Sequence, residues 1–196
     1  MRVLVTGAAG RVGSRLTPFL RSRGHEVVAA GHNAEEPVEF RLEEMVIDLF
    51  AHARPEVVIH LAGTTSEADF SRGPSDARTE NIVHPLLNVL AAARDTRVVH
   101  VSSGVVFGAN PGPEGGSLKP RTLYGAARAS AESMALRHGA KGGNIVIARI
   151  VDTTNTYGFN DIIMDMIHLM YQGTAGRSYN LGAHEGEIVR LREISQ

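Results

Sequence analysis

The chain has 196 residues, 43% hydrophobic and 21% charged, with a formal net charge of −1 and no cysteine. That composition suits one globular domain with a sizeable core, argues against nucleic-acid or anionic-membrane partners, and excludes disulfides and thiolate metal sites within the chain. No apolar run reaches the ~18 residues of a membrane span, and "MRVLVTG" enters a strand pattern without an apolar signal segment, so a soluble cytoplasmic protein is expected.

In chain order, "RVLV" (residues 2–5) is a β-branched run that ends in glycines. Residues 11–23 follow with Val12, Leu16, Phe19 and Leu20 at helical spacing. Then come a strand "EVVAA" (26–30), a helical stretch near 42–53, and a strand "EVVIHLAG" (56–63). A helix over about 76–94 precedes "RVVHVSS" (97–103), and a helix over 124–138 precedes "NIVIARI" (144–150). A last helix over about 161–172 leads to "RSYNLG" (177–182). Strands apolar on both faces, alternating with amphipathic helices, predict a parallel sheet covered on both sides. Right-handed crossovers make this a doubly wound α/β, Rossmann-type fold, with residues 1–196 as one domain. The Gly/Pro-rich "GANPGPEGG" is a loop on it.

"VTGAAGRVGS" places Gly7, Gly10 and Gly13 at the turn from first strand to first helix. Small residues there allow a tight turn, close approach of a pyrophosphate, and helix–strand packing. The phosphates then meet the free N–H groups at the helix head. Arg11 and Val12, inside this loop, belong to the same candidate dinucleotide site. At the end of the second strand an acid would bond the ribose of NAD, whereas a base would accept the 2′-phosphate of NADP. Here Gly31, His32 and Asn33 occupy the turn, Glu35 and Glu36 lie further on, and Arg11 could reach a phosphate. NAD(P) is expected, with NADP slightly favoured.

"TLYGAAR" puts Tyr124 and Arg128 four apart, on one helix face. A cation beside a phenol favours its ionised form, which suits a proton donor or acceptor for a carbinol. Ser102 and Ser103 end the preceding strand, where such sheets hold ligands. Asp161, Asp165 and His168 share a helix face at metal-like spacing but read as an ordinary polar face, so no metal site is expected. Met164, Met166, Met170 and Tyr171 read as core or interface, and His60 and His100 as core histidines.

"TGAAGRVG", "VVIHLAG", "TENI", "VVHVSSGVVFG", "LYGAARASAE" and "YNLG", in that order, resemble the extended short-chain dehydrogenase/reductases, and more narrowly their NAD-dependent epimerase/dehydratase branch. The resemblance implies pyrophosphate binding by Gly7, Gly10 and Gly13. It implies cofactor contacts from Leu61, Ala62 and Gly63, and a supporting role for Asn81. Ser103 is then the catalytic hydroxyl, Tyr124 the acid/base, and Arg128 stands where the family has a lysine that orients ribose and tyrosine. Arginine keeps the charge and the donors but is planar and bulkier. Phe107 replaces a family tyrosine. Only residues 159–176 separate "ARIVDTTNTYG" from "RSYNLG", so residues 151–176 are expected to be a remnant of the family's substrate-binding region. The resemblance also implies a homodimer through the helices of residues 76–94 and 124–138, with Leu86, Leu87, Leu90, Met134 and Leu136 supplying apolar side chains. The function expected is NAD(P)-dependent oxidoreductase or epimerase/dehydratase chemistry at a carbonyl or carbinol of a small-molecule or carrier-bound, sugar-derived substrate. A non-catalytic dinucleotide-binding sensor or scaffold is the alternative.

Overall fold

The computed structural model describes residues 1–64, 66–72, 78–109, 112–151 and 158–182. Seven strands form one sheet in the order β3-β2-β1-β4-β5-β6-β7. They are β1 (Arg2–Thr6), β2 (Glu26–Gly31), β3 (Glu36–Pro37), β4 (Val57–His60), β5 (Arg97–Ser103), β6 (Ile145–Ile150) and β7 (Ser178–Leu181). The helices are α1 (Gly13–Ser22), α2 (Glu43–Ala53), α3 (Glu67–Arg72), α4 (Glu80–Ala93), α5 (Leu123–Ala140) and α6 (Phe159–Gln172). This is the doubly wound, Rossmann-type order, extended by one strand. The long elements coincide with those read from the sequence to within a few residues. The start expected for α4 falls partly on residues outside those described.

The chain divides into two compact units, Met1–Val98 and Val99–Gln196. In the first, β1 pairs in parallel with β2 on one side (Val3 opposite Val27) and with β4 on the other (Val3 opposite Val57). Val3, Leu4, Val5, Val58 and Ile59 are fully buried, as a strand covered on both faces requires. Helix α1 packs on β1 and β2 and inserts Leu16 and Leu20, one turn apart and fully buried. Each contributes about 1.5–3 kcal/mol by leaving water. Chain order reverses between β1 and β4, both inside this unit. In such sheets that switch point opens the ligand crevice at the carboxyl ends of the strands.

In the second unit β6 pairs in parallel with β7, and α5 and α6 both pack on β6. The buried face of helix α5 carries the small side chains of Ala127, Ala131 and Ala135. The same face carries Tyr124, Arg128 and Glu132, spaced by four and all buried. Glu132 is neutralised by Arg149 of β6, whose Nε and Nη2 donate at 2.9 and 2.8 Å. Within the region expected to be a substrate-site remnant, α6 turns Ile162, Ile163, Met166, Leu169 and Met170 into the core; residues 152–157 lie outside those described. Met164 and Tyr171 are exposed. Asp165 is fully buried, so it does not belong to a solvated polar face as the spacing suggested. The reason is packing: helical position 165 falls between the apolar rows that α6 lays on β6 and β7. Asp161 caps its own helix, accepting from the Gly158 N–H at 2.9 Å.

Candidate functional site

The first unit holds a cleft of about 720 Å³ at the β1/β4 switch point, within the usual range for small-molecule and cofactor sites. Gly7, Gly10, His32, Leu61, Ala62, Gly63 and Asn81 all line it. Arg11, Val12 and Gly13 do not. Arg11 is exposed, and Gly13 serves the turn from beneath. A Cβ on Gly13 would lie 2.5 Å from the Gly7 carbonyl oxygen and 2.6 Å from the Ala8 Cα. Gly7 itself has φ +65°, and a Cβ there would stand 2.8 Å from the Leu61 carbonyl carbon. The loop is therefore glycine both for its turn and for the contact it makes with the end of β4. At the head of α1, Val12 offers no side-chain cap. The N–H groups of Arg11 and Val12 carry no hydrogen bond among the described residues. Such donors at a helix N-terminus suit an anion. Open glycine walls, spare helix-head donors and cleft size together fit a dinucleotide.

Two further devices shape this cleft. Thr6, fully buried at the end of β1, accepts with Oγ1 from both the Leu61 and Ala62 N–H groups at 3.1 Å. The same oxygen lies 2.9 Å from Nδ1 of His60. One hydroxyl thus pins the carboxyl end of β4 beside the glycine turn. On α4, Pro85 has no N–H to give to the carbonyl of Asn81, four residues earlier. Thr64 donates to that carbonyl instead, at 3.3 Å. The proline releases a helix acceptor, and the loop after β4 uses it.

The far wall of the cleft carries charge that the sequence reading did not assign to it. Glu35 is engaged elsewhere: Arg21 of α1 donates to its carboxylate at 2.7 and 2.5 Å. Glu39, Phe40 and Arg41, in the turn after β3, line the cleft together with His32. Arg41 donates to Glu39 through Nε at 3.2 Å, through Nη2 at 3.1 Å, and through its backbone N–H at 3.0 Å. His32 Nε2 lies 3.5 Å from the same carboxylate. Partial burial pushes the Glu39 carboxyl up, but the hydrogen bonds and charge of Arg41 outweigh it and hold the group below the usual carboxylate range. Glu39 is therefore ionised at neutral pH. The only signal in the sequence was an acid and a base two apart after a short extended run.

In the second unit, Thr122 caps α5 by accepting from the Gly125 N–H at 3.0 Å. The helix then starts with Tyr124, 3% exposed, and Arg128, 6% exposed. Arg128 Nε donates to the Tyr124 hydroxyl oxygen at 3.2 Å, and its Cζ stands 5.5 Å from the phenol ring centre. Nη1 donates to the Val101 carbonyl of β5 at 3.4 Å. The guanidinium is thus fixed between helix and strand with one donor on the phenol. Ser103 ends β5 and caps a 3₁₀ turn over Gly104–Phe107, accepting from the Val105 N–H at 3.5 Å. Helix α5 packs against that 3₁₀ turn. Ser102 is buried, with no hydrogen bond to its hydroxyl among the described residues.

A glycine-lined cleft at the switch point of a doubly wound sheet defines a Rossmann-type protein. The chain belongs to the NAD dependent epimerase/dehydratase family, whose model matches residues 3–182. It is 34% identical over 154 residues to a UDP-glucose 4-epimerase from Mycolicibacterium smegmatis, covering 67% of this chain and 49% of that protein. It is 32% identical over 163 residues to a GDP-6-deoxy-D-mannose reductase from Pseudomonas aeruginosa, covering 76% of this chain and 51% of that protein. The chain spans about half the length of the curated relatives it matches. Among solved structures, UDP-glucose 4-epimerase from Thermotoga maritima, with UDP-glucose, superposes with a TM-score of 0.80 at 22% identity, over 100% of this chain and 82% of that one. RMD from Pseudomonas aeruginosa, complexed with NADPH, gives 0.79 at 23%, over 99% and 83%. Among the described residues no helix is long and apolar enough to cross a membrane.

Proposed function

We propose that this chain binds NAD(P) and performs reductase or epimerase/dehydratase chemistry at a carbonyl or carbinol of a small or carrier-bound, sugar-derived substrate. The observation that carries the reading is the Arg128–Tyr124 hydrogen bond on the α5 face of a protein whose glycine cleft fits a dinucleotide. When bound, the nicotinamide ring supplies a carbon that gives or takes hydride. Gly7, Gly10 and the N–H groups at the head of α1 would hold the pyrophosphate. His32, Leu61, Ala62, Gly63 and Asn81 would line the rest, with Arg11, Val12 and Gly13 forming the turn. Tyr124 gives the proton to the carbonyl oxygen, or takes it from the carbinol. Arg128 donates to the phenol oxygen, which stabilises the charge that develops there as the proton leaves. Ser103, whose hydroxyl oxygen accepts from Val105, keeps its O–H to donate to the same substrate oxygen.

Homodimerisation is part of the proposal. Leu87 on α4 and Met134 on α5 are exposed, whereas Leu86 and Leu90 are core residues and Leu136 is half-buried. The outer faces of both helices therefore keep apolar side chains for a second copy. A cytoplasmic location and a single functional domain belong to the same reading.

A second reading, a non-catalytic dinucleotide sensor or scaffold, draws on the Arg128 contact itself. A guanidinium already committed to the phenol and to Val101 has fewer donors left for a ribose. Turnover of a panel of sugar-nucleotide and small carbonyl substrates with NADH and NADPH separates the two. Reduction lost in Tyr124→Phe supports the enzyme. Tight cofactor binding with no turnover across the panel supports the sensor.

A further inference from the structure

The turn after β3 is built more firmly than a loop between a two-residue strand and a helix requires. Asn88 of α4 donates through Nδ2 to the Phe40 carbonyl at 3.0 Å. The Phe40 side chain is 3% exposed and meets the His60 ring edge-on, with centroids 6.4 Å apart. With Phe40 anchored inward at both backbone and side chain, its neighbours Glu39 and Arg41 are both presented to the cleft. Arg41 commits Nε and Nη2 to Glu39, and its Nη1 carries no hydrogen bond among the described residues. The result is a cation with donors to spare, partly neutralised by a fixed anion, on the wall that also carries His32.

Resting on the dinucleotide reading above, we infer that the Glu39–Arg41 pair selects between the two nicotinamide cofactors at the adenosine 2′ position. Arg41 is the group that accepts a 2′-phosphate, and Glu39 is the brake that keeps NADH competitive. The pair is poised because each charge acts oppositely on a phosphate. Removing Arg41 leaves a carboxylate that repels it. Removing the charge of Glu39 frees two more guanidinium N–H groups to hold it in the bidentate manner that suits arginine and phosphate. Arg11, exposed and off the cleft wall, is not needed for this selection.

The test is the ratio of NADH to NADPH dissociation constants, measured by calorimetry or nucleotide fluorescence without any substrate. In Arg41→Met the ratio is expected to move at least tenfold towards NADH, or ~1.4 kcal/mol. In Glu39→Gln it is expected to move several-fold towards NADPH. Arg41→Lys, which keeps the charge but not the fork, should fall between the unaltered protein and Arg41→Met. Arg41 and Glu39 side chains are 43% and 22% exposed, so folding is not at stake, and circular dichroism checks it. Shifts of opposite sign support the inference. Parallel loss of both cofactors in both variants, or no change in the ratio, overturns it while leaving the dinucleotide reading intact. Failure of the unaltered protein to bind either cofactor overturns both.

Discussion

At the scale of single residues, the proposed proton transfer rests on Tyr124 and its arginine. The phenol is buried, and Arg128 Nε donates to its oxygen. Tyr124→Phe removes one hydroxyl and no ring atoms. Turnover should fall by two to four orders of magnitude, in line with the loss of a general acid–base group, while cofactor affinity changes less than threefold. Rates with a reducible substrate beside a binding titration check this. Arg128→Met should lose turnover and also loosen the start of α5, because the Val101 carbonyl loses its donor. Arg128→Lys keeps a charge at the helix face and should retain more activity than Arg128→Met. Equal activity in the two would show that charge at this position does not matter. Spacing alone made the Tyr124–Arg128 contact legible in the sequence, since residues four apart share a helix face. The bond to Val101 was not legible, because a strand 27 residues earlier meets the guanidinium only once the fold exists. Thr6 was hidden for the same reason: its two acceptor bonds run to residues 55 and 56 positions away.

At the scale of elements, the alternation of buried strands and amphipathic helices was readable because each strand is covered on both faces and so spells a continuous apolar run. β3 was not, since Glu36 and Pro37 give no pattern and owe their pairing to Ala30 and Gly31 of β2. α3 was missed because its six residues offer one buried side chain, Phe70. Thr122→Ala removes the cap of α5 and should cost about 1 kcal/mol of stability, read as a lower denaturation midpoint. Arg149→Met strands the Glu132 carboxylate in a fully buried position, since the ion pair is only 2% and 0% exposed. That should cost about 3–5 kcal/mol. The double change Glu132→Leu with Arg149→Met should restore much of the loss, because no charge then stays buried. A single variant as stable as the unaltered protein would show that the pair is not what secures α5 on β6.

At the scale of the whole molecule, the fold places its glycine turn, the pinned end of β4 and the loop held by Asn81 around one cleft, and the family match extends from residue 3 to 182. The exposed Leu87 and Met134 predict a dimer mass by light scattering at micromolar concentration; a monomer would refute the proposed assembly. Gly13→Ala tests whether the turn is built as described. The added methyl would sit 2.5 Å from the Gly7 carbonyl oxygen, so both stability and nucleotide affinity should drop together. The most direct measurement is the titration of the purified protein with NADPH and NADH. Saturable binding of both is predicted, with NADPH at least as tight as NADH and both weakened tenfold or more by Gly13→Ala. No saturable binding of either nucleotide up to millimolar concentration would contradict the account at its base.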